Sequence, residues 1–486
     1  MNLGTSLHWV STKMSDKICL IEDDIKVSFF DLWKNIELLA KAFLSIGIKE
    51  NDKIVVLLPN CKEFIYSFYA LSRINAISIP LNPHLTSFEL KEIFDDCCPR
   101  GVITAPLLYS KKIKSIFEPD KLVILVDEPS GKDVGRPYSF KELLKVGRAG
   151  RLPDFNTSNN QIASINYTYR GTGKPLGATL THGNYHHGAI GYVRLTEIIT
   201  AQRVLLVIPI SHIFTLISCV IVPLLRGATV VIMKSFIPSH VFKAIEKNKV
   251  DFMMAVPTIY ILLLKNYDKA RFNISSLKYG ITGGSYLPLD IHKEIKEKMG
   301  IELLQGYGLT ETMPISCNPR LKNRPDSLGV LGHEIKIKVV NKKGADVGCG
   351  RKGEILITGP TVMKSYYNKN GENKKYFKKG WFCTGDYGWL DEDGYIYFEG
   401  LKKKIVKIGG NNVDLKEVKT VLGTFSGVKD VELDVDMDYL WGSRLSARLR
   451  ISSKKEITEK AIRSFCRERL AIYKIPKKIF ITRGKR

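Results

Sequence analysis

The sequence predicts an α/β protein with a large N-terminal domain over residues 1–399 and a small α+β domain over residues 405–486. In the first three fifths of the chain, short apolar runs alternate with segments of helical periodicity, as in mainly parallel sheets covered by helices. From residue 329 onward the strands become short and are separated by Gly, Asp and Asn, which indicates a small antiparallel β subdomain. A lysine-rich stretch at residues 400–404 is the predicted linker.

The first part repeats the order strand, helix, strand. Phe29–Ile46 has apolar residues on one helical face, and Lys53–Leu58 is a continuous apolar run typical of a buried strand. The other elements predicted here are a hairpin of Lys17–Ile21 and Ile25–Ser28, helices at Lys62–Ile74 and Ser87–Asp96, and strands at Ala76–Pro80, Gly101–Thr104 and Leu122–Val126.

The same rhythm continues in the second part. The predicted elements are helices at Asn184–Ile199 and Asp290–Met299, and strands at Arg203–Pro209, Ala228–Met233, Phe252–Val256, Tyr279–Thr282 and Glu302–Gln305. Val204–Leu225 lacks charged residues and is long enough to span a bilayer. Because Pro209, Ser211 and Pro223 interrupt it, a buried strand, a turn and a buried helix are preferred over a membrane span.

The remaining elements are shorter. The predicted antiparallel strands are Ile335–Val340, Gly353–Thr358, Trp389–Leu390 and Tyr395–Phe398. The C-terminal domain is predicted to follow the order β-β-α-β-β-α-β, with elements that include Leu415–Leu422, Val428–Val435, Arg444–Ile451 and Thr458–Ala471.

Composition limits the partners and the compartment. The net charge is +25, but the lysines are dispersed and no basic run alternates with aromatic residues, so we expect no nucleic-acid partner. Contact with an anionic membrane surface is left open by this charge. Nine scattered cysteines without a CxxC pair, and an N-terminus without the apolar core of a signal peptide, predict a cytoplasmic protein.

Tyr167–Ala178, read YTYRGTGKPLGA, has the residue types of a triphosphate-binding loop. Glycines let backbone N–H groups approach an anion, threonine hydroxyls donate to phosphate oxygens, and lysine supplies a mobile charge. The spacing is not that of GxxxxGK[ST], and Pro175 occupies the Ser/Thr position. A flexible surface loop is therefore the alternative interpretation.

A second candidate segment, Gln305–Thr312, follows a predicted strand and reads QGYGLTET. Ligands of α/β sheets bind at the carboxyl ends of strands. Tyr307 lies between two glycines and could stack on a base, and Glu311 offers an oxygen ligand suited to Mg²⁺. A tight turn with a capping threonine is the alternative.

Two shorter motifs complete the set. Asp386, in Thr384-Gly385-Asp386, is expected after a glycine turn, where its carboxylate could accept ribose hydroxyls; an ordinary Asp turn is the alternative. His212 lies inside the apolar stretch, where it could orient a substrate or be a core histidine.

In this order the motifs resemble those of the adenylate-forming superfamily, which includes acyl- and aryl-CoA ligases, luciferases and adenylation domains. Residues 167–182 are similar to its phosphate loop YTSGTTGKPKGVxLTH, residues 305–312 match QGYGLTET, and residues 381–386 resemble GWFxTGD. Residues 209–216, 283–288, 400–413 and 464–476 resemble its substrate wall, acyl pocket, hinge and late CRERLAxYKxP segments.

The resemblance implies a two-step reaction on a stacked α/β N-terminal domain with a mobile C-terminal domain. A small-molecule fatty or aryl carboxylic acid attacks ATP, with Mg²⁺, to give acyl-AMP and pyrophosphate. The thiol of coenzyme A, or of a carrier-protein phosphopantetheine, then displaces AMP. The implied catalytic residues are Thr310, Glu311 and Lys485, with Glu311 as metal ligand and Lys403 at the hinge. The implied cofactor-binding residues are Thr168, Arg170, Gly171, Thr172, Gly173, Lys174, Gly306, Tyr307, Gly308, Thr310 and Asp386, and the implied acid-binding residues are His212, Gly283, Gly284, Ser285 and Tyr286.

The chain departs from the family pattern at several of these positions. Tyr169-Arg170-Gly171 stands where the family has Ser-Gly-Thr, Leu176 and Leu401 replace a lysine and an arginine, and the chain ends one residue after Lys485. These departures keep a third hypothesis open, namely a non-catalytic protein that binds nucleotide or acyl groups.

Overall fold

The computed structural model describes residues 2–118, 120–127, 137–147, 152–196, 203–401, 405–452 and 457–483. Up to Leu401, these residues form two large sheets covered by helices and a smaller antiparallel sheet. The α/β class predicted from the alternating pattern is confirmed.

The first large sheet has eight strands within the described ranges, and Lys53–Leu57 lies in its interior. Lys53–Leu57 pairs in parallel with Ile77–Pro80 on one side and with Gly101–Thr104 on the other. Across the sheet the strands are Ser365–Tyr366, Pro175–Thr181, Ile162–Tyr169, Ile77–Pro80, Lys53–Leu57, Gly101–Thr104, Leu122–Leu125 and Tyr138–Ser139.

The second large sheet has nine strands in the part of the chain that is described. Its middle strands are parallel, and the predicted N-terminal hairpin forms one edge. Across the sheet the strands are Val330–Leu331, Thr312–Cys317, Glu302–Leu309, Tyr279–Thr282, Phe252–Ala255, Arg203–Leu206, Thr229–Ile232, Ile18–Glu22 and Ile25–Ser28.

Helices begin where the sequence offers capping residues. Ser28 accepts a hydrogen bond from the Asp31 N–H, and Thr86 and Glu89 form a reciprocal capping box. The helices are His8–Lys13, Phe29–Ser45, Lys62–Arg73, Ser87–Cys97, Pro106–Leu108, Phe140–Val146, His182–Thr196, Ile213–Thr215, Val222–Leu225, Pro238–Asn248, Pro257–Asn266, Leu289–Met299, Asn370–Tyr376, Leu415–Gly423 and Glu459–Arg469. Shorter 3₁₀ or π turns occur at Leu3–Thr5, Tyr109–Ile113, Leu216–Ile221, Arg320–Lys322 and Ile472–Lys474.

The long apolar stretch folds as the sequence predicts. Arg203–Leu206 is a strand, and Ile213–Leu225 is helical in three consecutive pieces whose side chains are almost all buried. Among the described residues, no helix has the length and apolar character needed to cross a bilayer.

The main hydrophobic core lies between the two large sheets. It contains Ile54 and Val56 from the first sheet, Val204 and Val230 from the second, and helix side chains such as Phe68. Burial of large apolar side chains contributes about 1.5–3 kcal/mol each. This core therefore fixes the edges of the two sheets relative to each other, and those edges carry the predicted motifs.

The antiparallel part contains a longer strand than predicted. Trp381–Leu390 forms one continuous strand, in which Gly385 has φ 72°. Asp386 thus lies within a strand, next to a glycine kink, and not after a free turn. This sheet comprises Lys336–Val340, Gly353–Thr358, Trp381–Leu390, Phe377–Lys378 and Ile396–Leu401.

The C-terminal part has the predicted order β-β-α-β-β-α-β. Ile405–Ile408 pairs with Asn411–Asp414, and Gly442–Ile451 lies between Val428–Asp438 and Lys478–Arg483. Its side chains form a core of their own. The strand Ile396–Leu401 extends into the predicted linker, residues 402–404 lie outside the described ranges, and the boundaries at 399 and 405 stay predictions.

Candidate active site

Residues 170–174 of the predicted phosphate loop form the turn of a hairpin between Ile162–Tyr169 and Pro175–Thr181. Gly171 and Gly173 have φ values of 76° and 81°. Only glycine adopts this left-handed region without strain, so the turn depends on both residues. Lys174 is exposed, and the second half of the predicted loop is strand.

Arg170 leaves the first strand of this hairpin and pairs with Glu311. Its Nη1 lies 3.2 Å from Glu311 Oε1, and the two side chains are 3% and 2% exposed. Its Nη2 donates to the Cys383 carbonyl at 3.0 Å, and Tyr366 OH donates to Glu311 Oε1 at 2.5 Å. Burial alone lowers the pKa of Arg170, but Glu311 and its other neighbours outweigh burial and raise it above its ordinary value.

Tyr307 and Asp386, predicted from separate motifs, lie together. Tyr307 OH donates to Asp386 Oδ2 at 2.5 Å. Burial raises the pKa of Tyr307, so the phenol keeps its proton and acts as the donor. Gly306 and Gly308 belong to the same strand as Tyr307. Thr310 and Glu311 form the turn after it, so the motif reverses direction beside the phosphate loop.

Sequence reasoning missed Lys407, which the C-terminal hairpin Ile405–Asp414 brings to this site. Burial lowers the pKa of its ammonium group; Asp386 and Glu311 oppose that effect, and Arg170 adds to it. The site therefore combines two cations with two carboxylates. Lys407 belongs to the strand Ile405–Ile408, but only the packing of the two domains places it here.

His212 faces the same hairpin from the N-terminal domain. Its side chain is exposed to solvent in the described structure. Partial desolvation by the surrounding protein and the positive charge of Lys407 lower its pKa to about 4, and a hydrogen bond with Asn411 raises it. His212 is therefore neutral at pH 7.

The predicted acid-binding glycines lie between the predicted nucleotide-binding residues and the apolar helix region. A side chain at Gly283 would meet the Gly306 carbonyl and the Phe214 ring, both at 3.4 Å. One at Gly284 would meet Val256 at 3.4 Å and the Gly410 carbonyl at 3.8 Å. This space between the two domains thus adjoins the nucleotide segment.

Ser285 and Tyr286 differ in position. The Ser285 carbonyl accepts a hydrogen bond from Gln305 Nε2 at 3.1 Å, which ties this segment to the QGYGLTET strand. Tyr286 is 43% exposed and lies near Asp326 and Asp290. Its predicted contact with the acid stays a prediction.

The phosphate loop also contacts the C-terminal domain. The Gly173 N–H donates to Asp414 Oδ2 at 2.9 Å, and Asn412 Nδ2 lies 3.5 Å from Thr168 Oγ1. Gly173 and Thr168, two residues of the predicted phosphate loop, therefore face the hairpin that carries Lys407.

A buried cluster of ionisable residues lies next to these contacts. Lys474 is fully buried, and its Nζ lies 2.6 Å from Glu89 Oε1 and 2.8 Å from Glu417 Oε1. It also lies 3.9 Å from the centre of the Tyr169 ring. Glu89 and Tyr169 belong to the N-terminal domain, whereas Glu417 and Lys474 belong to the C-terminal domain. Tyr169, one of the departures from the family pattern, thus contributes to the contact between the domains.

Two further departures from the family pattern, Leu176 and Leu401, lie in regular strands. Leu176 is 3% exposed and belongs to the main core, where a lysine would lose its hydration. Leu401 ends the strand Ile396–Leu401. Lys403 and Lys485 lie outside the described residues, so their predicted roles stay predictions.

The residues around Glu311 do not fit a divalent metal ion held by the protein. Such an ion would stand beside the Arg170 guanidinium and be repelled by it. The predicted magnesium ligand is therefore engaged by an arginine.

A model of the AMP-binding enzyme family matches residues 7–367. The chain is similar to the long-chain-fatty-acid–CoA ligase of Bacillus subtilis (strain 168), with 27% identity in an alignment 497 positions long that covers 96% of this chain and 88% of that protein.

Two solved structures of o-succinylbenzoate CoA synthetase from Bacillus subtilis are similar over nearly the whole chain. A double mutant bound with its product analogue OSB-NCoA has a TM-score of 0.84 and 27% identity, covering 98% of this chain and 94% of that chain. The complex with AMP has a TM-score of 0.71 and 26% identity, again covering 98% and 94%.

Proposed function

Because the chain belongs to the AMP-binding enzyme family, we propose that it is an acid–thiol ligase that activates a carboxylic acid with ATP. The carboxylate attacks the α-phosphate of ATP, pyrophosphate leaves, and acyl-AMP forms. The thiol of coenzyme A then attacks the acyl carbon, and AMP leaves. One observation carries this proposal: residues of three separate motifs, Arg170, Tyr307 with Glu311, and Asp386, meet at one site.

Each group has a task that suits its chemistry. The Tyr307 ring offers a flat surface to adenine, and the Asp386 carboxylate can accept ribose hydroxyls. The glycine turn at 171–173 and the cations Arg170 and Lys407 stabilise the charge on the α-phosphate as it is attacked. No step of this proposal needs a metal ion bound to Glu311, because Arg170 already lies against that carboxylate.

We infer that the arrangement of the two domains is the one used in the second step. At equal coverage, the whole fold has the higher TM-score with the product-analogue complex, 0.84 against 0.71 for the AMP complex. In this arrangement the hairpin with Lys407 faces the nucleotide residues. Lys407, whose pKa burial lowers, is then placed to stabilise the leaving AMP phosphate while the thiol attacks.

Lys485 acts in the first step, for which the C-terminal domain takes up a second arrangement. Lys403 belongs to the hinge about which the C-terminal domain rotates between the two arrangements. The acid is a fatty or aryl acid, since the relatives include a long-chain-fatty-acid–CoA ligase and an o-succinylbenzoate CoA synthetase. Neutral His212 and the segment at Gly283–Ser285 form the wall against which it lies. The reaction takes place in the cytoplasm, and contact with a membrane surface stays a prediction from the charge of +25.

Two alternatives remain testable. Transfer to a carrier-protein phosphopantetheine uses the same chemistry, and the basic surface would attract an acidic carrier as well as coenzyme A. A non-catalytic nucleotide-binding protein is motivated by the Arg170–Glu311 pair, which occupies part of the phosphate site.

Acid-dependent exchange of labelled pyrophosphate into ATP tests the proposal. We expect exchange with at least one member of a panel of fatty and aryl acids. Mass spectrometry after addition of coenzyme A or a carrier protein then identifies the acceptor. ATP binding without exchange for any acid would favour the non-catalytic alternative.

A further inference from the structure

Arg170 is the cation closest to the carboxylate that was expected to bind a metal ion. It follows the strand Ile162–Tyr169 directly, and its side chain is almost fully buried. Its position is fixed from several sides: the Glu311 carboxylate at 3.2 Å, the Cys383 carbonyl at 3.0 Å, and the Tyr376 ring centre at 4.6 Å.

One donor of this guanidinium is still available. Among the described residues, Arg170 Nε is buried and has no hydrogen-bond partner. A buried guanidinium N–H without an acceptor is costly, and phosphate oxygens are the acceptors whose geometry best matches the guanidinium fork. The structure therefore holds a fixed donor beside the phosphate loop.

The Arg170 guanidinium already occupies the position beside Glu311 where a metal ion would have to bind. An arginine keeps its charge at all physiological pH values, so it cannot make room for a metal ion by losing a proton. Glu311 Oε1 also accepts from Tyr366 OH, which leaves this oxygen with two partners already. A metal ion at Glu311 would have to displace an arginine held by stacking and hydrogen bonds.

We propose that Arg170 takes the place of the divalent cation at Glu311, so that this chain binds the phosphates of ATP without a metal ion on that carboxylate. This inference rests on the proposed function, because it concerns how the same site holds ATP. The guanidinium pairs with Glu311 on one side and donates to a phosphate oxygen through Nε on the other.

Calorimetric titration of ATP, in excess Mg²⁺ and in EDTA, tests this assignment on the full chain. For the unaltered protein we expect the two dissociation constants to agree within about threefold. Arg170→Gly, which introduces the family's residue, should weaken ATP binding in EDTA by about tenfold or more, the usual cost of losing a hydrogen bond to a charged group. In Mg²⁺ the same variant should recover most of its affinity, because Glu311 is then free to bind the metal.

Three further variants keep the test decisive. Arg170→Lys retains the charge and should retain metal-independent binding, and thermal melting shows that each variant is folded. Glu311→Gln removes the carboxylate but leaves Arg170, so ATP binding in EDTA should be retained or strengthened. Arg324→Ala is a matched control, because Arg324 pairs with Asp391 and stacks on Tyr395 outside this site. It should change neither dissociation constant.

Several results would overturn the assignment. One such result is that EDTA weakens ATP binding tenfold both in the unaltered protein and in Arg170→Gly. Another is tighter ATP binding by Arg170→Gly in both buffers, which would mean that Arg170 blocks the site. Pyrophosphate exchange measured in parallel separates the two proposals. ATP binding that needs no metal ion, but without exchange, supports the role of Arg170 and contradicts the proposed catalysis. Exchange together with strictly metal-dependent ATP binding supports catalysis and contradicts the role of Arg170. A chain that binds no ATP in either buffer overturns both.

Discussion

Lys474→Met should separate the two half-reactions, because it removes the central cation of the buried contact between the domains. Lys474 is fully buried, forms an ion pair with Glu89 at 2.6 Å, and donates a hydrogen bond to Glu417 Oε1 at 2.8 Å. Methionine fills a similar volume but leaves two carboxylates facing each other across the interface.

The magnitude follows from these contacts. Of its two carboxylate partners only Glu89 lies across the interface, and breaking a buried ion pair by removing one partner costs about 3–5 kcal/mol. The present arrangement of the domains should therefore become about 100- to 1,000-fold less populated relative to open arrangements. Because this arrangement is the one proposed for thiol attack, transfer should slow by at least about tenfold, while adenylation should be nearly unchanged.

The assay measures each half-reaction alone. Pyrophosphate exchange reports adenylation, and thioester formation from supplied acyl-AMP and coenzyme A reports transfer. Lys477→Met is the matched control, since Lys477 is exposed and lies three residues further along the chain. Its effect should stay within about twofold on both steps. An equal loss of both steps in a folded Lys474→Met protein would refute the reasoning, and so would an unchanged transfer rate.

Three other predictions concern protonation, nucleotide binding and the C-terminal lysine. Burial raises the pKa of Glu417 to about 7 from an ordinary value of 4.5, although Lys474 opposes this rise and Glu89 adds to it. The closed arrangement, in which Lys474, Glu89 and Tyr169 surround Glu417, thus binds a proton more tightly than an open one. The closed arrangement should lose stability as the pH rises from 4.5 to about 7, and its stability should then level off. Hydrogen exchange of the Ile405–Asp414 hairpin, measured from pH 5.5 to 7.5, checks this expectation. Glu417→Gln should remove the pH dependence of that exchange. Asp386→Ala should weaken ATP binding about 10- to 100-fold by removing the proposed ribose acceptor, and an unchanged dissociation constant in calorimetry would exclude that role. Lys485→Ala should slow pyrophosphate exchange but leave transfer from supplied acyl-AMP nearly intact, and loss of both steps would contradict its assignment to adenylation.

The parts of the fold that depend on local pattern could be predicted from the sequence. Lys53–Leu57 is an apolar run, and Phe29–Ser45 has one apolar face and a serine cap, so both elements follow from short-range signals. The meeting of Tyr307 with Asp386 was foreseeable only because motifs of one family share one site. Of the strand Trp381–Leu390 only Trp389–Leu390 was predicted, because Gly385 has the character of a turn residue; its positive φ is accommodated as a kink inside the strand.

The contacts that depend on how the domains pack could not be predicted. Nothing in the sequence around Lys407 or Lys474 distinguishes these lysines from the many exposed ones. The docking of the hairpin Ile405–Asp414 against the phosphate loop determines their surroundings. The pairing of Arg170 with Glu311 could not be predicted either, because strands of different sheets bring the two residues together.

An isotope experiment tests the central claim most directly, namely that the chain joins a carboxylic acid to AMP before it joins the acid to a thiol. An acid that supports exchange is labelled with ¹⁸O in both carboxylate oxygens and incubated with ATP, coenzyme A and the enzyme. The attacking carboxylate oxygen becomes the bridge in acyl-AMP, and the thiol breaks the bond between that oxygen and the acyl carbon. Mass spectrometry should therefore find one ¹⁸O atom in each AMP released. AMP without ¹⁸O, formed together with the thioester, would contradict the adenylate route.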